Sequence, residues 1–480
     1  MIIIPRLLRD RQVVGIVDLF FGDNGKGKID DELAALVDEE GKLFFEIDYR
    51  PGGGPNTGHS TVVDGKKRVF HLIPSGSIVE GMTSVLGRAQ AFDCRIFFQE
   101  LEMVQEVNPR AKILVDYGAH VIIPYHTALD RLREATMGDS KIGTTGRGVG
   151  PCMETKASRF GYVTVGMLND KPRLKEQIEK AKQRIQPELS DITSRLMRRG
   201  VDFRTILSEP KFTKSRFDIG DYNSVADFFD DRGEIHSDMM LQYCLHYGAH
   251  LGDLVTDAVT FVKGEAKEGK RILVEGTQGY FLDLTHGDYP YVTAGLTTRS
   301  GLEHDAGIYF DLVVNVTKPY ATRVGNGHFP SEITGKEADI LREAGGEYGS
   351  TTGRPRRVGH LDAVALRYAL DDNLGSDEYR IVALTKLDVL KGFRPKITVG
   401  YEVNGRPKKE IHDLRELSHV SGCCNIPLDG EIEDIRGLTR FDDLPGNARK
   451  FVDLVEKLVE CYVMFAGTGP ERGQFIMRDF

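Results

Sequence analysis

Apolar residues along this chain fall into short β-branched runs separated by stretches of helical spacing. Val13, Val14, Ile16 and Val17 form the first run, which reads as a buried strand. A polar, glycine-rich segment follows, FGDNGKGKID (21–30). Ile29, Leu33, Leu36 and Val37 then recur at helical spacing and predict a helix beginning near Gly25. LFFEID (43–48) predicts a second strand running into the loop YRPGGGPNTGHS, and STVVDGKKRVFHLI predicts a hairpin that turns at Asp64-Gly65. Further strands are expected at Lys112–Asp116, Ile272–Glu275, 312–316 and Ile381–Leu384, with helical patterns between several of them. The alternation predicts an α/β fold with a mainly parallel central sheet and flanking helices. Residues 185–238 are charged, interrupted by Pro187 and Pro210, and weakly periodic. They read as a helical insertion with surface loops.

Composition narrows the picture. The chain has 480 residues, 40% hydrophobic and 28% charged, with a formal net charge of −9. That sign disfavours general binding to nucleic acid or anionic membrane, while leaving room for local phosphate sites. The six cysteines are scattered, without metal-ligand spacing, which fits a reducing compartment. MIIIPRLLRD is too short in apolar length for a signal peptide, and no apolar run reaches membrane-spanning length. The expectation is a cytoplasmic protein.

The first chemical motif is the glycine-rich segment itself. Gly22, Gly27 and Lys28 fit G-x-x-x-x-G-K, the pattern of a phosphate loop. Backbone N–H groups without a Cβ in the way can wrap phosphate oxygens, and the helix start adds a positive dipole end. Lys26 or Lys28 would reach the outer phosphates. The alternative is a plain strand–helix turn with solvated lysines; the flanking strand and helix favour the phosphate cradle. The residue after Lys28 should be a metal-binding hydroxyl, but it is Ile29, and Asp23 and Asn24 sit inside the loop.

Other segments add to this. LTKLD (384–388) resembles the N-K-x-D reader of guanine, with Asp388 able to accept from N1–H and the 2-amino group and Lys386 lying along the ring. NTGH (56–59) and IGTTGRGVGP (142–151) are loops of glycine and small hydroxyl residues suited to wrapping a polar ligand. His59, between Gly58 and Ser60 in what reads as an exposed loop, is either a structural histidine or an acid–base group. STTGRPRR (350–357) gathers three arginines and two threonines, which suits a carboxylate or phosphate substrate.

The ordered set GDNGKGK, NTGHS, IGTTGRGVGP, EGTQGYFLD, HGDYPYVT, STTGRPRRVGHLD, LTKLDVL and GTGPERGQFIMRD resembles the adenylosuccinate synthetase family from about Val13 to Asp479. The resemblance implies one domain spanning 1–480, with 185–238 inserted, and a GTP-dependent ligase of purine biosynthesis. Such an enzyme joins L-aspartate to C6 of IMP through a 6-phosphoryl intermediate, using Mg2+ and releasing GDP and phosphate. It implies that Asp23, His59 and Gln278 are catalytic, Asp23 as both the base at N1 and a metal ligand. The carbonyl of Gly58 is the second implied ligand, which makes a hydroxyl after Lys28 unnecessary. GTP would be held by Gly22, Asn24, Gly25, Lys26, Gly27, Lys28, Gly58, Ser60, Arg356, Lys386, Leu387, Asp388, Gly467, Thr468 and Gly469. IMP would be held by Asp23, Lys26, Asn56, Thr57, Gly58, His59, Thr145, Arg159, Gln278, Thr293 and Arg354. Aspartate would meet Ser350, Thr351, Thr352, Gly353, Arg354 and Arg356. Arg159 matches an arginine that reaches the neighbouring monophosphate site, which implies a homodimer.

Some positions depart from the family pattern: Asn24 follows the matched aspartate, Pro55 and Gly467 replace polar residues, VTAGLTT replaces the usual V-T-S-S-N-T-T, and Pro355 interrupts the arginines. They cluster around the purine and monophosphate pockets. Two alternatives therefore stand beside IMP ligation: a related aspartate ligase acting on another purine monophosphate such as dGMP, and a non-catalytic GTP-binding protein. Retention of Asp23 favours IMP.

Overall fold

The computed structural model describes residues 4–479 except 139, 140, 142, 210, 211, 221, 350–352 and 375–378. Its main sheet is built from β1 (Val13–Asp18), β2 (Ile47–Gly53), β3 (Thr83–Phe92), β4 (Lys112–Asp116), β5 (Val255–Thr256), β6 (Ile272–Glu275), β7 (Leu312–Thr317), β8 (Ile381–Leu384), β9 (Tyr462–Gly467) and β10 (Phe475–Met477). Their spatial order is β10-β9-β8-β7-β1-β6-β2-β3-β4-β5, and His120–Val121 pairs with β3. Every pairing in the sheet is parallel except β9 with β10. The fully buried, β-branched sequence of β1 suits its central place, with β7 on one side and β6 on the other. β1 leads on to β2 on one side of it while its neighbour β7 leads on to β8 on the other, a reversal of strand order of the kind at which open α/β sheets bind ligands.

A second, six-stranded sheet contains Tyr320–Arg323, Arg357–Asp362 and Lys396–Val403 and receives the arginine-rich loop. The hairpin His59–Val63/Lys66–Phe70 forms as expected. Asp64 and Gly65 take φ of 54° and 70°, both positive as a two-residue turn of this kind requires.

Two expectations need correction. The second strand begins at Ile47 rather than Leu43 and continues through Pro51 to Gly53. Phe44 and Phe45 are buried beside Ile29 and Leu33, packed as core side chains before the strand begins. Ile47 is where pairing to both β3 and β6 starts. Pro51, which has no N–H to donate, sits at a register shift between Arg50 and Gly52. The second correction concerns Pro187, which does not break a helix but lies inside the helix Lys171–Arg198. Leu174, Ile178, Ala181, Ile185, Leu189, Ile192 and Leu196 make one continuous buried stripe on that helix. At roughly 1.5–3 kcal/mol per buried large apolar side chain, the stripe outweighs the roughly 3 kcal/mol penalty of an internal proline. Ile185, Leu189, Phe203 and Leu207 share a core with Phe92 and Phe97 of the main body. Pro210 lies outside the described residues. Among the described residues, no helix is long and apolar enough to cross a membrane.

Candidate active site

The loop after β1 is tied down by the last residue of that strand. Asp18 is buried, and its carboxylate accepts from Phe20 N (3.1 Å), Asn24 N (3.0 Å), the Asn24 side-chain amide and Lys26 Nζ (3.0 Å). Gly22 and Gly25 supply φ of 84° and 94°, and the helix Lys26–Ala34 begins immediately after Gly25. Ile29 is buried in the core, as a loop without a hydroxyl metal ligand allows. Both lysines have partners within the protein. Lys26 Nζ also meets the Gln278 carbonyl, while Lys28 Nζ pairs with Glu32 at 2.6 Å and meets the Glu471 carbonyl.

Asp23 takes φ of 57°, and its carboxylate meets Arg356 Nη2. Arg356 is buried, and its Nη1 donates to Glu347 Oε2 at 2.6 Å. Glu347, fully buried, also receives Lys318 Nζ (3.0 Å), Lys386 Nζ (2.8 Å) and the Tyr320 hydroxyl (2.6 Å). Burial alone would raise the Glu347 carboxyl, but Lys318, Lys386 and Tyr320 hold it at about 2. Positive φ is uncommon for non-glycine residues and marks strain. Gln278 (49°), Lys386 (52°) and Arg159 (61°) share it with Asp23.

His59 is not in an exposed loop. It opens the strand His59–Val63 and is buried, with Nδ1 2.5 Å from Glu275 Oε1 at the end of β6. Burial first, and the neighbouring Arg50 second, push its imidazole down to about 4. Glu275 is held at about 2, against its own burial, by His59 and Arg50. An ionised carboxylate can only accept, so Nδ1 carries the proton and Nε2 is left as the face toward Arg50.

Some of the other expected positions are brought together by the fold. Asn56 Nδ2 is 3.4 Å from Thr293 Oγ1, joining two segments 237 residues apart. Thr57 is buried against Arg50 Nη2 at 2.8 Å. β8 pairs with β9 through Leu384 and Ala466, so residues 385–388 and 467–469 leave the sheet side by side. Leu387 and Thr468 are buried there, Thr468 donating to Leu438 O at 2.8 Å. Asp388 is buried, and desolvation raises its carboxyl. Thr145 is half-buried, while Gly353, Arg354 and Arg159 are exposed, Arg159 closing the helix Val149–Ser158. Ser350, Thr351 and Thr352 lie outside the described residues. The three arginines of the 350–357 segment do not act as one unit: Arg357 is spent on Glu332, with Nε–Oε1 at 2.8 Å.

Among the described residues, no group of three or more His, Cys, Asp or Glu side chains is placed to hold a metal. A hard divalent ion prefers oxygen, often through one or two carboxylates completed by water and substrate phosphates. The Asp23 carboxylate, 37% exposed in a phosphate-type loop, fits that donor chemistry once Arg356 is drawn off it.

A model of the adenylosuccinate synthetase family matches residues 13–197 and 190–476. The chain belongs to that family. The adenylosuccinate synthetase of Chlorobium chlorochromatii is 36% identical over 473 residues, covering 96% of each chain. The fully ligated adenylosuccinate synthetase of Plasmodium falciparum has the same fold, with TM-score 0.77, 29% identity, and coverage of 97% of this chain and 100% of that one. The succinoaminodeoxyadenylate synthetase of cyanophage S-2L, solved with dGMP and dATP, shares the fold alone at TM-score 0.53 and 18% identity, covering 97% of this chain and 95% of that one. Membership makes the chain a ligase whose activity is the GTP-dependent joining of aspartate to IMP. The α/β architecture expected from the sequence is the family's own.

Within this adenylosuccinate synthetase fold, Asp18, Arg50, Glu275 and Glu347 bond directly to the expected site residues Asn24, Thr57, His59 and Arg356, and the sequence reading missed them. Asp18 and Glu275 carried a signal: each is a carboxylate ending a fully buried strand. Glu347 carried none: it stands outside the helices and strands, and only the fold gathers Lys318, Tyr320, Lys386 and Arg356 around it.

Proposed function

We propose that the residues gathered here carry out IMP ligation in two steps, with Asp23 as the base. The Asp23 carboxylate takes the N1 proton of IMP. The 6-oxygen so enriched attacks the γ-phosphorus of GTP, and the bond to the bridging oxygen breaks to leave GDP. The amino group of aspartate then adds at C6, the C6–O bond breaks, and phosphate leaves with that oxygen as the amine loses a proton. The contact carrying this reading is Arg356 held between Asp23 and Glu347, which joins the proposed base to the proposed guanine-side lysine, Lys386, through one buried carboxylate.

Magnesium, held by Asp23 and the Gly58 carbonyl, would neutralise phosphate charge. Arg356 would exchange Asp23 for a phosphate of GTP, a geometry guanidinium forks suit. Asp388 would accept from guanine, flanked by Lys386, Leu387 and Gly467, Thr468 and Gly469. Gly22, Asn24, Gly25, Lys26, Gly27, Lys28 and Ser60 would line the phosphate path. His59, its imidazole pushed down by burial and Arg50, would face the transferring phosphoryl group through Nε2, and a phosphate anion beside it would favour its protonated form. Asn56, Thr57, Thr145, Gln278 and Thr293 would hold IMP, Arg159 would reach its monophosphate in a second subunit, and Arg354 would bind aspartate. Asp23 gives the observation favouring IMP over dGMP. Purified protein with GTP, magnesium and aspartate, offered IMP, dIMP, GMP and dGMP in turn, tests the choice by phosphate release. Release confined to IMP and dIMP supports it; preference for dGMP would overturn it.

A further inference from the structure

Beneath the site lies a pair of carboxyl groups that the reaction does not use. Asp30, on the helix Lys26–Ala34, and Asp48, on β2, are both fully buried. Their Oδ2 atoms accept the same N–H, that of Gly76, at 3.0 and 2.8 Å. One amide hydrogen serving two carboxyl oxygens brings those oxygens together. The Oδ1 atom of each has no hydrogen-bond partner and is sealed from solvent. Two such groups cannot both ionise: each would be a buried anion with one oxygen unpartnered, beside another. A proton on one, donated to the other, removes the conflict.

The pair is linked to the chemistry by a short path. Gly76 follows Ser75, whose N and Oγ donate to Glu275 Oε2 and Oε1 at 3.0 and 3.1 Å, and Glu275 Oε1 holds His59 Nδ1. Position 76 tolerates no side chain, since a Cβ there would stand 2.6 Å from Asp48 Oδ2 and 2.7 Å from Ala34 Cβ. The turn is thus clamped between the phosphate-loop helix and β2.

We propose that Asp30 and Asp48 form an acid–carboxylate pair holding a proton, and that this pair is a positioning element fixing the Gly76 turn, Ser75, Glu275 and so the imidazole of His59. The positioning half rests on His59 acting in phosphoryl transfer. The charged and titratable groups facing the pair are Glu275 from β6, Arg50 from β2 and Asp31 from its own helix, with His59 beyond Glu275. Burial, then Glu275, push the Asp48 carboxyl up to about 8, and burial, then Asp48, push Asp30 well above the usual range. With the proton kept on the pair, Glu275 remains the ionised member and keeps its grip on His59.

The test is infrared difference spectroscopy of the intact enzyme across a pH titration, which needs no variant. The expected result is a C=O band of a protonated, buried carboxyl at neutral pH, persisting well above the range in which ordinary carboxyls have ionised. Asp30→Asn and Asp48→Asn should each abolish it. Absence of the band, or its survival in both variants, would overturn the shared proton. For positioning, Asp48→Ala should lower kcat about tenfold with KM values for GTP, IMP and aspartate little changed, and Asp48→Asn, which keeps the shape and a donor, should recover most of the loss. Equal kcat in Asp48→Ala and wild type would overturn the positioning role. A His59→Asn enzyme with undiminished kcat would contradict the role given to His59 while leaving the infrared band in place, so the two failures are distinguishable.

Discussion

Arg356 holds Asp23 with one guanidinium nitrogen while its Nη1 holds Glu347 at 2.6 Å. The proposed base is therefore paired, and its release is tied to whatever draws Arg356 away. A GTP phosphate is the natural competitor, since guanidinium binds phosphate and carboxylate alike. Asp23→Ala should fold, bind GTP and lose turnover by at least about 100-fold, the lower range for a missing general base. Arg356→Leu should leave the base intact yet lower kcat/KM for GTP by about 100-fold. Steady-state kinetics with varied GTP check both, and near-normal turnover in Asp23→Ala would remove the base.

Glu347 is the buried hub of this network. Removing one partner from such a cluster leaves the others uncompensated and costs about 3–5 kcal/mol. Glu347→Gln should show a loss of that size in denaturant or thermal unfolding. The pH sign follows from its carboxyl, held at about 2 when folded against 4.5 ordinarily. That group contributes stability above about pH 4.5, and the contribution is lost as pH falls through about 2. Acid unfolding of Glu347→Gln should lack that component; an unchanged acid transition would show that Glu347 does not anchor the network.

Guanine selection depends on Asp388 in the proposed reading. Asp388→Asn exchanges an acceptor for a donor and should weaken GTP use by about 10–100-fold while improving xanthosine triphosphate. A nucleotide panel measured by kcat/KM decides it. GTP preference surviving intact would place base recognition elsewhere.

Aspartate recognition is assigned to Arg354, exposed at the end of its loop. Arg354→Leu should raise KM for aspartate by about tenfold or more, in keeping with loss of a charge-assisted bond, with smaller effects on GTP and IMP. A selective loss of nucleotide binding would reassign the loop.

Much of this architecture was legible in the chain. The β-branched runs at 13–17, Ile272–Glu275 and Ile381–Leu384 became central parallel strands because nothing but burial suits such sequences. The Asp64-Gly65 turn had only one economical geometry. Ile29 was readable as a core residue once the loop supplied its own carboxylate. The start of β2 was misjudged because Phe44 and Phe45 satisfy a strand pattern and a core-packing role equally well, and only the pairing of Ile47 with its neighbours separates them. The helix through Pro187 was hidden by its charged outer face, and its buried stripe shows only when the run is read from Leu174. Glu347, Asp30 and Asp48 were hardest to see. Each acts through partners that only the fold brings close, and no strand or helix pattern records such a contact.

The central claim is that the 6-oxygen of IMP becomes a phosphate ester before aspartate displaces it. IMP carrying heavy oxygen at C6, turned over by the purified protein with GTP, magnesium and aspartate, tests this directly by mass spectrometry of the released phosphate. The account predicts that the label appears in phosphate, one atom per adenylosuccinate formed, and that Asp23→Ala releases none. Labelled oxygen recovered in water with unlabelled phosphate, or phosphate release that does not require IMP, would contradict it.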